Sequence, residues 1–186
     1  MRVLQLDPIQ AEANGIRAAA GIRPEDVVPD IVSVLRGLGL AVAVRHMDAD
    51  GHDGYYASRG GRSVAVLNGA KFPYRVRCVA AHMLAHHVYG DRPHVDHDIE
   101  DAPGDLADLR ANAFAGRFLV SREAIWTRHE RAGGLTVAQA VHLAGVFGVT
   151  YRALVERLHE AGVACAHRPG PSSQVANSLQ PPHSAR

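Results

Sequence analysis

Residues 79–87 read VAAHMLAHH, an apolar run interrupted by imidazoles at His82, His86 and His87. The surrounding pattern is helical over residues 74–89, with Gly90 as a natural stop and Pro93 beyond it. His82 and His86 stand four residues apart, which puts their rings on one helix face, one turn from each other. That geometry can hold a single zinc ion, and the metallopeptidase motif H-E-x-x-H uses it. A bare H-x-x-x-H is also compatible with two ordinary, partly buried helix histidines. In the metallopeptidase motif the glutamate after the first histidine takes a proton from metal-bound water. Here that position is Met83, and a thioether accepts no proton from water at neutral pH.

The flanking sequence supplies a frame for this helix. Residues 8–20 predict a first helix, with Pro8 in its first turn and Ile9, Ala13, Ile16 and Ala20 on one face. Residues 24–37 predict a second, closed by Gly37 and Gly39. Residues 40–45, 54–58 and 63–68 read as strands, and Gly60-Gly61 between the last two signals an antiparallel hairpin. Residues 91–104 are acidic, contain proline and lack periodicity, which predicts a loop. A further helix is expected from about residue 105 to 118, with Leu106, Leu109, Ala113 and Phe114 on its buried face.

A zinc site with three protein ligands needs one more donor, commonly a carboxylate from a second helix. Asp108 provides it, on one face with Ala111, Asn112 and Ala115; the alanines allow this helix to approach the histidine helix closely. His87 points about 100° away from His86 and lies outside that site. His94 and His97, with Asp96, Asp98, Glu100 and Asp101, read as a solvated loop, or else as an extra ligand set.

Composition narrows the function classes. The formal net charge of +1 over 186 residues gives no case for a broad nucleic-acid or membrane-binding face. Five of the 12 histidines lie between positions 82 and 97, a density that itself directs attention to a metal. Cys78 and Cys165 are isolated, so neither a zinc ribbon nor a disulfide framework is indicated, and two lone thiols fit a reducing compartment. The N-terminus lacks the long apolar run of a signal peptide, no stretch is apolar enough to span a membrane, and a cytoplasmic protein is expected.

The ordered features resemble the ImmA/IrrE family of zinc metallopeptidases: a hairpin ending at Asn68, then Arg75-x-Arg77, Ala81-His82 and His86. They continue with an acidic loop and Asp108-x-x-Ala111-Asn112-x-Phe114-Ala115, ending at Phe118-Leu119. The likeness runs from about Ile9 to Val163 and is strongest over residues 63–120. Members carry glutamate where Met83 stands, and usually glutamate where Asp108 stands. The resemblance implies an α+β, helix-rich, zincin-like domain over residues 1–164, with a small antiparallel sheet and a helix-turn-helix-like C-terminal pair at 135–161. It also implies zinc held by His82, His86 and Asp108.

Residues 167–186, rich in Pro, Ser and Gly, are expected to be a disordered tail. In the C-terminal pair Thr150 can cap the second helix, and Arg152 and Arg157 are offset by Glu156 and Glu160, which makes nucleic acid a poor partner. The family resemblance implies action on a helix-turn-helix repressor, hence transcription regulation of mobile-element or stress genes. Without its base, such a chain would bind a regulatory protein and cut it poorly. The strand of Ser63, Val64, Ala65, Val66, Leu67 and Asn68, expected at the cleft edge, would hold an extended peptide by strand addition. The alternatives are an active zinc endopeptidase drawing its base from Asp96, Asp98, Glu100 or His87, and a DNA-binding regulator using residues 135–160.

Overall fold

The computed structural model describes residues 7–96, 105–129 and 134–165. The expected tail at 167–186, the N-terminal residues 1–6 and the acidic stretch 97–104 lie outside the described residues.

Helix starts are set by side-chain caps. Asp7 accepts from Ile9 N and opens α1 (Pro8–Ala19), with proline in the first turn, where its missing N–H costs nothing. The second helix is shorter than expected: α2 is Ile31–Gly37, capped by Asp30. Pro29 accounts for the difference, because it disfavours helical backbone at the residue before it and the helix restarts only after the Asp30 cap. Strand β1 (Leu40–Arg45) follows, then β2 (Gly54–Arg59) and β3 (Arg62–Asn68), joined by Gly60 and Gly61 at φ 58° and 76°. Both glycines occupy the left-handed region that a two-residue hairpin turn requires.

The sheet is mixed, not purely antiparallel as expected. Its order is β1-β3-β2-β4: β2 and β3 pair antiparallel, but β1 runs parallel to β3, Leu40 opposite Ser63. The hairpin thus turns inside the sheet, and β3 has a neighbour on both sides. Strand β4 (His94–Asp96) pairs antiparallel with β2, within a stretch expected to be loop. Three residues are too few for a periodicity signal.

Helix α3 (Pro73–Tyr89) ends at left-handed Gly90 and crosses one face of the sheet. Val79, Ala80, Met83 and Leu84 share a core with Leu40, Val42, Tyr56, Ala65 and Leu67 of the strands. On α3's other side lies α4 (Leu106–Leu119), whose Ala111 and Ala115 are buried, as close approach requires. The buried face of α4 differs from expectation. Phe114 is buried, but Leu106 and Leu109 are 83% and 47% exposed, and the inward row is Ala111, Phe114, Ala115 and Phe118. A short α5 (Arg122–Arg128), which hydrophobic periodicity did not indicate, precedes α6 (Val137–Phe147) and α7 (Tyr151–Glu160). Thr136 and Thr150 cap the last two, and Gly148 separates them.

Three buried or half-buried arginines tie these elements together through backbone carbonyls. Arg17 donates to Phe118 O, Arg23 O, Pro24 O and Asp26 O. Arg157 donates to Val120 O and to Gln10, and Arg77 to Val28 O, Pro29 O and Phe147 O. Two of these clamps close on the C-terminal end of α4, where carbonyls lack helical partners and carry partial negative charge. Burial pushes the pKa of all three guanidinium groups down, with nearby carboxylates, Asp30 in the case of Arg77, opposing the shift.

Candidate metal centre

The 3.6-residue period of α3 places His82 and His86 against α4, and both rings are fully buried. Their Nε2 atoms lie 2.8 Å apart. The far side of each ring is engaged by a different element. His82 Nδ1 is 2.7 Å from Asn112 Oδ1, one turn along α4 from Asp108. His86 Nδ1 is 2.9 Å from Asp91 Oδ2, just past the Gly90 stop, and Asp91 Oδ1 accepts from Arg110 at 2.7 Å. The Arg110 guanidinium in turn sits 3.8 Å over the Tyr89 ring.

These partners determine which nitrogens can bind a cation. A carboxylate only accepts, and so does an amide oxygen, so in a neutral imidazole these partners make Nδ1 the donor and leave the lone pair on Nε2. Two lone pairs directed at each other across 2.8 Å repel unless a positive charge lies between them. Asp108 supplies that point with a carboxylate: its Oδ1 lies 3.8 Å from His86 Nε2, and one donor atom from each of His82, His86 and Asp108 falls within 4.8 Å of the others. Two neutral imidazoles and a carboxylate are a donor set suited to zinc. The structure brings together the three residues singled out as ligands in the sequence. Asn112 matched the family pattern with no role attached, and Asp91 and Arg110 were not expected. The residue one step beyond a helix-stopping glycine, five past a candidate ligand, is the signal that marks Asp91.

Met83 is turned about 100° from the ligand face and is fully buried under β2. A Cβ added at Gly54 would fall 2.9 Å from Met83 Cε and 2.8 Å from Val66 O. The strand therefore passes directly over the sulfur side chain, and only glycine fits there. On the same strand, Tyr56 stacks against His86 with centroids 5.7 Å apart.

Other expectations are corrected here. Ser63, Val64, Ala65, Val66, Leu67 and Asn68 cannot accept a peptide by strand addition, because β3 is paired on both sides. Asn68 instead organises the preceding loop: its side chain accepts from Met47 N and Ala70 N and donates to Asp48 O and His52 O. His87 Nε2 faces Leu38 O at 3.4 Å, away from the centre. Arg157, one of the two cations considered for DNA contact, is 5% exposed and held inside the fold. Asp98, Glu100 and His97 lie outside the described residues.

An H-x-x-x-H helix under a small mixed sheet, with a carboxylate from the next helix, defines a metallopeptidase-like scaffold. The chain belongs to the family described as IrrE N-terminal-like domain (Peptidase M78), whose profile matches residues 37–159. Among solved structures the fold is similar to a Mycobacterium tuberculosis transcriptional regulator, with a TM-score of 0.56 and 19% identity. That similarity covers 81% of this chain and 46% of the regulator, so this chain spans less than half of that protein's length. A comparison with curated proteins finds no match. Among the described residues no helix is long and apolar enough to cross a membrane.

Proposed function

We propose that this chain is a catalytically impaired metallopeptidase homologue that binds zinc through His82, His86 and Asp108 and holds a regulatory protein, such as a helix-turn-helix repressor, without cutting it efficiently. The observation that carries this reading is Met83, a buried sulfur where a proton acceptor is needed. Bound zinc would polarise a peptide carbonyl and acidify a water. Asn112 and Asp91 fix the imidazole tautomers, and no described side chain takes the place of the base. Asp91 is engaged with His86 and Arg110, and His87 turns away.

Strand addition remains the natural way to hold an extended peptide. The edge that serves is the outer edge of β4, since β4 neighbours β2, whose Tyr56 lies on His86. The loss of general-base catalysis is worth about 10²–10⁴-fold in rate.

The test measures zinc by elemental analysis in the purified wild type and in His82→Ala, then compares cleavage of a candidate repressor by wild type and Met83→Glu. One equivalent of zinc in the wild type, none in His82→Ala, and cleavage gained only with Met83→Glu are expected. Efficient cleavage by the wild type would overturn the impaired reading, and metal-free wild type would overturn the zinc assignment.

A further inference from the structure

His82 and His86 are held by partners of different kinds. Asn112, which meets His82 Nδ1, belongs to α4, and its amide carries no charge. Asp91, which meets His86 Nδ1, is a charged residue beyond the end of α3. Its backbone is fixed, since Asp91 N donates to His86 O at 3.0 Å. Its side chain can still rotate, and at 18% exposed it has water to turn to.

Arg110 prevents that turn. Its Nη2 donates to Asp91 Oδ1 at 2.7 Å, which leaves Oδ2 for His86. Arg110 is itself a long side chain, 39% exposed, and its Nε is buried with no hydrogen-bond partner. The Tyr89 ring holds it instead: the guanidinium carbon lies 3.8 Å from the ring centroid, over the face. A guanidinium over an aromatic face is attracted by the ring quadrupole and keeps its N–H groups for a carboxylate. The ring in turn is set by two other helices. Its hydroxyl donates to Glu12 Oε2 on α1 at 2.5 Å, and Phe114 of α4 meets it edge-on, with centroids 6.0 Å apart.

Arg110 acts on a bound cation in two opposing ways. Its positive charge repels a divalent metal. Its hold on Asp91 keeps the His86 lone pair aimed at the metal, and outer-shell hydrogen bonds of this kind are worth about 10–100-fold in affinity. Removing Arg110 would tighten binding by the first effect and loosen it by the second. The geometry favours the second. Asp91 at 2.7 Å already compensates the charge, so the repulsion is largely cancelled while the hold on the carboxylate is not.

We infer that Arg110 and Tyr89 are positioning residues of the metal centre: the Tyr89 ring holds Arg110, Arg110 holds Asp91, and Asp91 holds His86 in the orientation that binds metal. Both act through His86, and neither is a ligand. The inference rests on the reading of His82, His86 and Asp108 as a zinc site.

Zinc dissociation constants of the full chain, from competition with a chromogenic chelator, test it. Arg110→Met is expected to weaken zinc by about tenfold, the lower end of the outer-shell range, because the residue acts at one remove. Arg110→Lys keeps the charge and a donor without the planar fork, and recovers part of the loss. Tyr89→Leu weakens zinc by about two- to fivefold, the worth of a partly exposed cation–π contact. Added to Arg110→Met it costs nothing further, because the same chain of contacts is already broken. The visible absorption of the Co²⁺-loaded protein shifts in Arg110→Met and in Tyr89→Leu, since a displaced His86 alters the ligand field. Arg17→Met, destabilised away from the centre, keeps the wild-type constant and spectrum, which separates positioning from a general loss of stability. A zinc-binding wild type whose Arg110→Met variant binds equally or more tightly, or additive losses from the two substitutions, overturns the inference and leaves the zinc assignment standing. A wild type that takes up no zinc overturns both.

Discussion

Asp91→Asn separates a shaped metal centre from an accidental pair of histidines. In the native arrangement Asp91 accepts twice, from His86 Nδ1 at 2.9 Å and from Arg110 at 2.7 Å. An asparagine of the same size can accept at only one of those points and must present an N–H₂ at the other. If the amide faces His86, Nδ1 becomes the acceptor, the ring proton moves to Nε2, and the metal-facing lone pair is lost. If the amide faces Arg110, two donors oppose each other and the clamp on His86 opens. Outer-shell partners of this kind are worth 10–100-fold in metal affinity, or about 1.4–2.8 kcal/mol. Competition with a chromogenic chelator gives the zinc dissociation constant, expected to rise by that factor. Long-range nitrogen–proton NMR correlations of His86 report the tautomer, which a purely structural role for Asp91 would not move. An affinity within about twofold of wild type, with Nε2 still unprotonated, would refute the reasoning, since that factor lies below the outer-shell range.

Zinc at about a hundredfold over its dissociation constant stabilises the fold by about 2.7 kcal/mol and raises the melting midpoint by about 5–11 °C. A chelator or His82→Ala should abolish the rise in a thermal melt. Arg17→Met takes the side-chain donor from Phe118 O and Asp26 O, while Arg23 O keeps Asp26 N and Pro24 O keeps Ser121 Oγ. Equilibrium denaturation should show a loss of about 2–4 kcal/mol, dominated by the buried Phe118 carbonyl, with no change in zinc stoichiometry. The Tyr89 phenol is pushed well above its ordinary value, first by burial and then by its hydrogen bond to Glu12. The unfolded chain releases that proton near pH 10 and the folded chain only at higher pH, so stability is intact below about pH 10 and falls as pH rises beyond it. Tyr89→Phe should flatten that part of the alkaline stability curve measured by denaturant titration.

The parts of the fold written in local pattern were readable in advance. Strand β1, the Gly60-Gly61 hairpin, α3 with its glycine stop and the face of α4 bearing Asp108 follow from periodicity and turn chemistry. The rest depends on what lies far away in the chain. The parallel seating of β1 beside β3 is a long-range choice that no window of ten residues encodes, and it removed β3 from the cleft edge. Leu106 and Leu109 look like core residues until the helix is rotated to bring Asp108 and Asn112 toward α3. The ligands could be named because their chemistry is rare, whereas Asp91 and Arg110 are ordinary surface-type residues that matter only through their distance to His86.

The carbonyl clamps bear on where this protein can be cut for expression. The family profile begins at residue 37, yet Arg77 reaches back to Val28 and Pro29, Arg157 to Gln10, and Phe118 relies on Arg17. A fragment trimmed to the profile would strand two guanidinium groups and a helix-end carbonyl at freshly opened surface. A piece that keeps these contacts begins no later than Asp7, and shorter fragments are expected to be recovered as aggregate.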